Sequence, residues 1–129
     1  MNKVLVLSQD KTLFQRVEGE IVSKDSIRLY TFTNSLDLIK YYLANYASLI
    51  LLDADIVKSD VLKLIEIIHN INQEAKLILL ISPENMSICS SALSLGILSY
   101  QVKPVSPENM VELIFSVLQN PIDSHEFPL

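Results

Sequence analysis

The sequence predicts an α/β domain: an open, doubly wound parallel sheet assembled from five successive βα units. Two observations carry that prediction. Five strand-length runs rich in Val, Ile and Leu recur along the chain, and stretches of helical period separate them. Three of these runs show almost no polar alternation, which is the pattern of strands covered on both faces by helices. Right-handed crossovers between parallel strands then distribute the helices over both faces of the sheet.

The elements follow in order. VLVL at 4–7 is the first central strand, and Leu13, Val17 and Ile21 mark the helix after it. IRLYTF at 27–32 is mixed with Arg28 and Thr31 and therefore belongs nearer an edge. Leu36, Ile39 and Leu43 form the next helical stripe, opened by Asn34 with Asp37 three residues on. SLILL at 48–52 is central; Val61, Ile65, Ile68 and Asn72, beside Leu64 and Ile71, then give a helix whose start is signalled by Ser59 before Asp60. KLILLI at 76–81 is the fourth strand, and Ile88, Ala92 and Leu95 the stripe that follows. LSYQV at 98–102 carries Ser99 and Gln101 and reads as the second edge. Met110, Ile114, Val117 and Leu118 close the pattern, on a helix opened by Ser106 with Pro107 at its first position. The expected arrangement is a flavodoxin-like three-layer sandwich with strand order 2-1-3-4-5. One domain is expected over residues 1–119. Residues 120–129, NPIDSHEFPL, hold two prolines and no periodicity, as a terminal tail or the stub of a linker would.

Composition narrows the function. At 129 residues the chain holds one core, and although half of it is hydrophobic no apolar run approaches the length of about 20 residues that spans a bilayer. The N-terminus enters a strand without the pattern of a secretory signal, so a cytoplasmic location is expected. The single cysteine, Cys89, has no partner for a disulfide or a metal knuckle and reads as a buried thiol. A net charge of −5 with no Lys/Arg cluster argues against direct nucleic-acid binding. Flavin or dinucleotide binding is disfavoured by the lack of a GxGxxG or Gly-rich loop after the first strand. His69, near a helix end, and His125, in the tail, do not read as catalysts, and no enzymatic turnover is expected.

In a sheet of this kind the functional crevice lies at the carboxyl ends of the strands, at the switch point between the first and third. Ser8 to Asp10, Asp53 to Asp55, Ser82 to Glu84 and Lys103-Pro104 fall there. Singly they are ordinary: Asp53 suits a turn or cap, Ser82-Pro83 a strand-to-helix junction and Lys103-Pro104 loop punctuation. Together they bring a carboxylate, a hydroxyl and an ammonium to one edge of the sheet. That set can accept a phosphoryl group, with Asp as nucleophile and Ser and Lys as ligands for the anionic oxygens.

From Lys3 to about Gln119 the chain resembles the receiver domains of two-component response regulators. SLILLDADI is similar to the family's third strand and implies a phospho-acceptor at Asp53; LILLIS is similar to the fourth, with Ser82 as its switch hydroxyl. The most specific likeness is ALSLGILSYQVKPVSPENM, with Ala92 to Gly96 at a helix end, the switch aromatic Tyr100, and the pair Lys103-Pro104, whose peptide bond is typically cis in the family. The resemblance implies a histidine kinase or phosphotransfer protein as partner. It also implies contacts through the surface of the fourth helix, fifth strand and fifth helix (86–95, Tyr100 and 108–118), including a possible homodimer, and either a stand-alone receiver or one with a possible C-terminal output domain outside this chain.

The departures concern the metal. Where the family carries two adjacent acids after the first strand, this chain has Ser8 and Gln9, followed by Asp10. The usual Pro and Gly of the loop after the third strand are Val57 and Lys58, and the Gly that commonly follows the position of Asp60 is Val61. The family's magnesium is held by the acidic pair, the acceptor and the backbone carbonyl two residues on, here that of Asp55. Asp53 helped by Asp10 or Asp55 leaves a weak site, because magnesium takes one or two carboxylates and keeps its waters. Slow or absent phosphorylation is therefore expected. A stable Asp53–Lys103 pair is also expected, since fewer like charges surround Asp53. Lys58, in the loop beside the site, reads as a solvated lysine, the alternative being an ammonium that partly replaces the missing cation.

Overall fold

The computed structural model describes residues 2–21 and 26–119. The tail 120–129, with His125, lies outside them. Five strands, β1 (Asn2–Leu7), β2 (Ile27–Phe32), β3 (Leu49–Asp53), β4 (Leu77–Ile81) and β5 (Ser99–Val102), form one parallel sheet in the order β2-β1-β3-β4-β5, as expected. The helices are α1 (Lys11–Ile21), α2 (Ser35–Ala44), α3 (Val61–Ile71), α4 (Cys89–Ser94) and α5 (Pro107–Gln119). Short helical turns, Ala54–Val57 and Lys58–Asp60, lead into α3, and a 3₁₀ stretch, Pro83–Ile88, leads into α4. No helix among the described residues is long and apolar enough to cross a membrane.

Every residue of β3 and β4 is buried, which explains why their sequences do not alternate. The strand period is nevertheless present in space, because alternate side chains enter two separate cores. Val4, Val6, Leu49, Leu51, Ile78 and Leu80 pack with Phe14, Val17 and Ile21 of α1 and Met110 and Ile114 of α5. Leu5, Leu7, Ile50, Leu52, Leu77, Leu79 and Ile81 face α2, α3 and α4 on the other side. Each such side chain contributes about 1.5–3 kcal/mol by leaving water, so the register of the central strands is strongly fixed.

Two caps match the sequence. Asn34 accepts the N–H of Asp37 at 2.9 Å, and Ser106 accepts that of Asn109 at 3.0 Å with Pro107 opening α5. The start of α3 differs: it begins at Val61, and the preceding Asp60 is already helical (φ −73°, ψ −8°) with no side-chain cap bond. The chain arrives coiled through the Lys58–Asp60 turn, so no capping side chain is required. Lys58 itself has φ 53° and ψ −128°, a conformation that favours glycine.

The buried face of α2 is also not the expected one. Leu36 and Leu43 are 67% and 65% exposed, and Leu38 and Tyr42 are buried instead. Apolar residues surround most of this helix, so periodicity alone could not choose between overlapping stripes; docking of Leu38 and Tyr42 beside β1 and α3 decides it. In α1, Phe14 takes the core position and Leu13 is half-buried. The stripe Ile88, Ala92, Leu95 spans a 3₁₀-to-α junction; of its three members Ala92 is buried and the others half-buried, and Cys89, outside the stripe, is buried beside them.

α4 ends in a left-handed Gly96 (φ 99°), whose N–H reaches Leu93 O at 3.0 Å while that of Ile97 reaches Ala92 O at 3.3 Å. Against this turn lies the ring of His69 on α3. Its Nδ1 is 3.1 Å from Leu95 O and its Nε2 3.2 Å from Ala75 O, and a Cβ on Gly96 would come within 3.3 Å of the ring.

Candidate functional site

The site forms where β1, β3, β4 and β5 end. Asp53, the last residue of β3, is a carboxylate in a fully buried strand and is only 5% exposed. Its Oδ1 accepts the N–H of Asp55 at 3.0 Å, which turns the chain directly into the Ala54–Val57 helical turn. Burying such a charge is costly unless it is paired and hydrogen-bonded. The pairing comes from Lys103, whose Nζ donates to Asp53 Oδ1 at 2.8 Å and Oδ2 at 2.7 Å.

Lys103 is set by β5. Its backbone N–H bonds Ile81 O at 2.8 Å, continuing the ladder one residue past the strand, and the peptide bond to Pro104 is cis. The same ammonium lies 2.9 Å from Asp55 Oδ2. One cation therefore serves two carboxylates.

Asp55 is the most heavily contacted of these groups. Its Oδ2 accepts the Ser82 hydroxyl at 2.6 Å; its Oδ1 accepts Asn85 Nδ2 at 2.6 Å and the Ser82 backbone N–H at 3.2 Å. Burial works against the charge of Asp55, but the hydrogen bonds from Ser82, Asn85 and Lys103 outweigh it and hold the carboxyl well below the usual range. For Lys103, burial likewise opposes the charge and the contacts with Asp53 and Asp55 prevail, so its pKa is raised.

On the β1 side the side-chain bonds are local, and the Ser8 backbone N–H reaches Phe32 O on β2 at 3.0 Å. Ser8 is buried and its Oγ accepts the N–H of Asp10 at 2.9 Å; Asp10 Oδ1 accepts the N–H of Leu13 at 3.0 Å in the first turn of α1. Gln9 is exposed. Ser8, Asp10, Asp53, Ser82, Lys103 and Pro104 all border one cavity of about 330 Å³.

The structure thus brings together Asp53, Asp55, Ser82 and Lys103 and places Asp10 at the rim of the same cavity, engaged with its own helix. No group of three or more His, Cys, Asp or Glu side chains is arranged to hold a metal among the described residues. Lys58 is exposed on its loop, and the ammonium that meets Asp53 is that of Lys103. Tyr100 is half-buried on β5, and Cys89 is buried, with burial pushing its thiol pKa up.

Two contributions were not anticipated from sequence. Asp55 entered only through its backbone carbonyl and as a metal ligand, whereas its side chain organises the β4 side of the site. Asn85 was overlooked altogether. The available signal was a polar residue three positions after Ser82, in the turn leaving a buried strand at the crevice.

No family model matches the chain, and no curated relative does. Solved structures do match in shape. The receiver domain of the TMAO respiratory system response regulator TorR superposes with a TM-score of 0.78 at 15% identity, over 92% of this chain and 98% of that one. A response regulator from Thermotoga maritima gives 0.78 at 17% identity over 92% and 98%, and a two-component response regulator from Clostridium difficile 0.77 at 22% over 95% and 99%. Over nearly the whole length of both chains the shapes agree: the chain has the fold of response-regulator receiver domains.

Proposed function

We propose that the chain acts as a receiver domain in two-component signalling, with Asp53 as a phospho-acceptor that is charged weakly, and with a histidine kinase or phosphotransfer protein as its donor. The observation that carries this reading is the two-point contact between Lys103 and Asp53 at the end of the central strand, opposite Ser8. An Asp53 oxygen attacking phosphorus would form the acyl phosphate as the donor's bond to phosphorus breaks. Ser82 and Lys103 are the groups able to hold the transferred oxygens.

The weakness follows from charge. The donor set is a poor fit to magnesium: Asp53 and Asp55 already share an ammonium, Ser8 is neutral, and Asp10 caps α1. A phosphoryl group approaching Asp53 meets a carboxylate without a metal to offset the repulsion. The shared lysine also supports a second reading, a module that signals by contact and holds one conformation without phosphorylation.

Incubating the chain with acetyl phosphate and magnesium, and measuring intact mass, tests both. The expected result is slight modification of the native chain and clear modification at Asp53 in a Ser8→Asp/Gln9→Asp variant. Stoichiometric modification of the native chain overturns the weak-acceptor reading. No modification of either favours the contact module.

A further inference from the structure

The Ser82 hydroxyl, the Ser82 backbone N–H, the Asn85 amide and the Lys103 ammonium converge on a single carboxylate, that of Asp55. Convergent donors of this kind, one of them cationic, are what an oxyanion requires. We infer that Asp55 is an internal anion occupying the oxyanion cradle formed by Ser82, Asn85 and Lys103, so that an external phosphate-class ligand can enter only by displacing it.

Three features support the inference. The contacts to Ser82 and Asn85 cross from the turn after β3 to the segment after β4, 27 and 30 residues away, so only the folded chain assembles them. Both Asp55 oxygens are engaged: Oδ1 by two donors, Oδ2 by Ser82 Oγ and Lys103. The adjoining cavity of about 330 Å³ is bordered by Ser82 and Lys103, so an oxyanion there would meet donors already committed to Asp55. Ser82 and Lys103 are also the groups assigned above to the transferred phosphoryl group. The inference thus rests on that reading for its meaning in signalling, though not for its chemistry. Asp55 would be a second barrier to charging Asp53, separate from the loss of acids at Ser8 and Gln9.

The test uses inorganic phosphate alone, with neither phosphodonor nor magnesium, titrated into the full chain while the Ser82 and Asn85 amide resonances are followed. Asp55→Asn preserves side-chain shape and removes the charge; Asp55→Ala empties the position. Both are expected to bind phosphate at least about tenfold more tightly than the native chain, the scale of losing a competing charged hydrogen-bond acceptor. Adding Ser82→Ala to Asp55→Asn is expected to reverse the gain. Asp60→Asn, which removes one exposed negative charge outside the crevice, is expected to leave binding at the native level. Equal binding by the native chain and both Asp55 variants overturns the inference. An equal gain from Asp60→Asn overturns it as well, because general electrostatics would then suffice. Phosphate binding gained in Asp55→Asn while the Ser8→Asp/Gln9→Asp chain takes no phosphoryl group supports the cradle and overturns the acceptor reading alone.

Discussion

Where β1 leaves the sheet, Ser8 bonds the backbone of Asp10 two residues on, and Asp10 bonds the backbone of Leu13 three residues on. Where β3 leaves it, Asp53 meets Lys103 fifty residues away, and Asp55 meets Ser82, Asn85 and Lys103. The side chains on the first side of the cleft make bonds that a short segment supplies by itself, and only the Ser8 backbone N–H reaches further, to Phe32 O at 3.0 Å. The second exists only once β3, β4 and β5 are assembled. Paired, largely buried charge therefore marks where the cleft depends on the global fold, and local side-chain bonds mark where it is ordinary loop and helix-cap structure.

The sharpest break in that contrast is Lys103→Met, which keeps much of the side chain's bulk and leaves two carboxylates uncompensated. Urea unfolding is expected to show a loss of about 3 kcal/mol, as for a largely buried pair deprived of one partner. A loss under 1 kcal/mol would mean that solvent already screens the pair.

Acid should separate the two sides next. The carboxyl of Asp55 is depressed from its ordinary value of 3.8, so its stabilisation is fully present above that pH and is lost as pH falls toward the folded value. For Lys103 the sign is reversed: raised above 10.5, it stabilises fully below that pH and its contribution is lost as pH rises through the folded value. Urea midpoints measured from neutral pH downward should therefore fall below about pH 4 in the native chain and fall less in Asp55→Asn. Parallel curves would assign the acid limb to other groups.

The smallest effect belongs to the β1 side. Ser8→Ala removes one local acceptor and is expected to cost about 1 kcal/mol by the same unfolding measurement. A cost matching that of Lys103→Met would erase the distinction between the two sides.

The sheet was legible in the sequence because its central strands are uniform apolar runs of strand length, and the edge positions of β2 and β5 because Arg28, Thr31, Ser99 and Gln101 interrupt theirs. The face of α2 was not, since Leu36, Leu38, Ile39, Tyr42 and Leu43 satisfy more than one helical stripe and only tertiary docking selects among them. The same limit applies to the site. Asp53, Ser82 and Lys103 could be placed from the strand ends they follow. Asp55 and Asn85 act through side-chain directions set by the turns after β3 and β4, and spacing along the chain does not encode those directions.

The imidazole of His69 has a consequence at the opposite pole. It lies between the carbonyl of Ala75, just before β4, and that of Leu95, shortly before β5. These are the two strands whose far ends deliver Ser82 and Lys103 to Asp55. A single ring thus ties the entrances of β4 and β5 together, at the end of the sheet opposite the one where Ser82 and Lys103 meet Asp55.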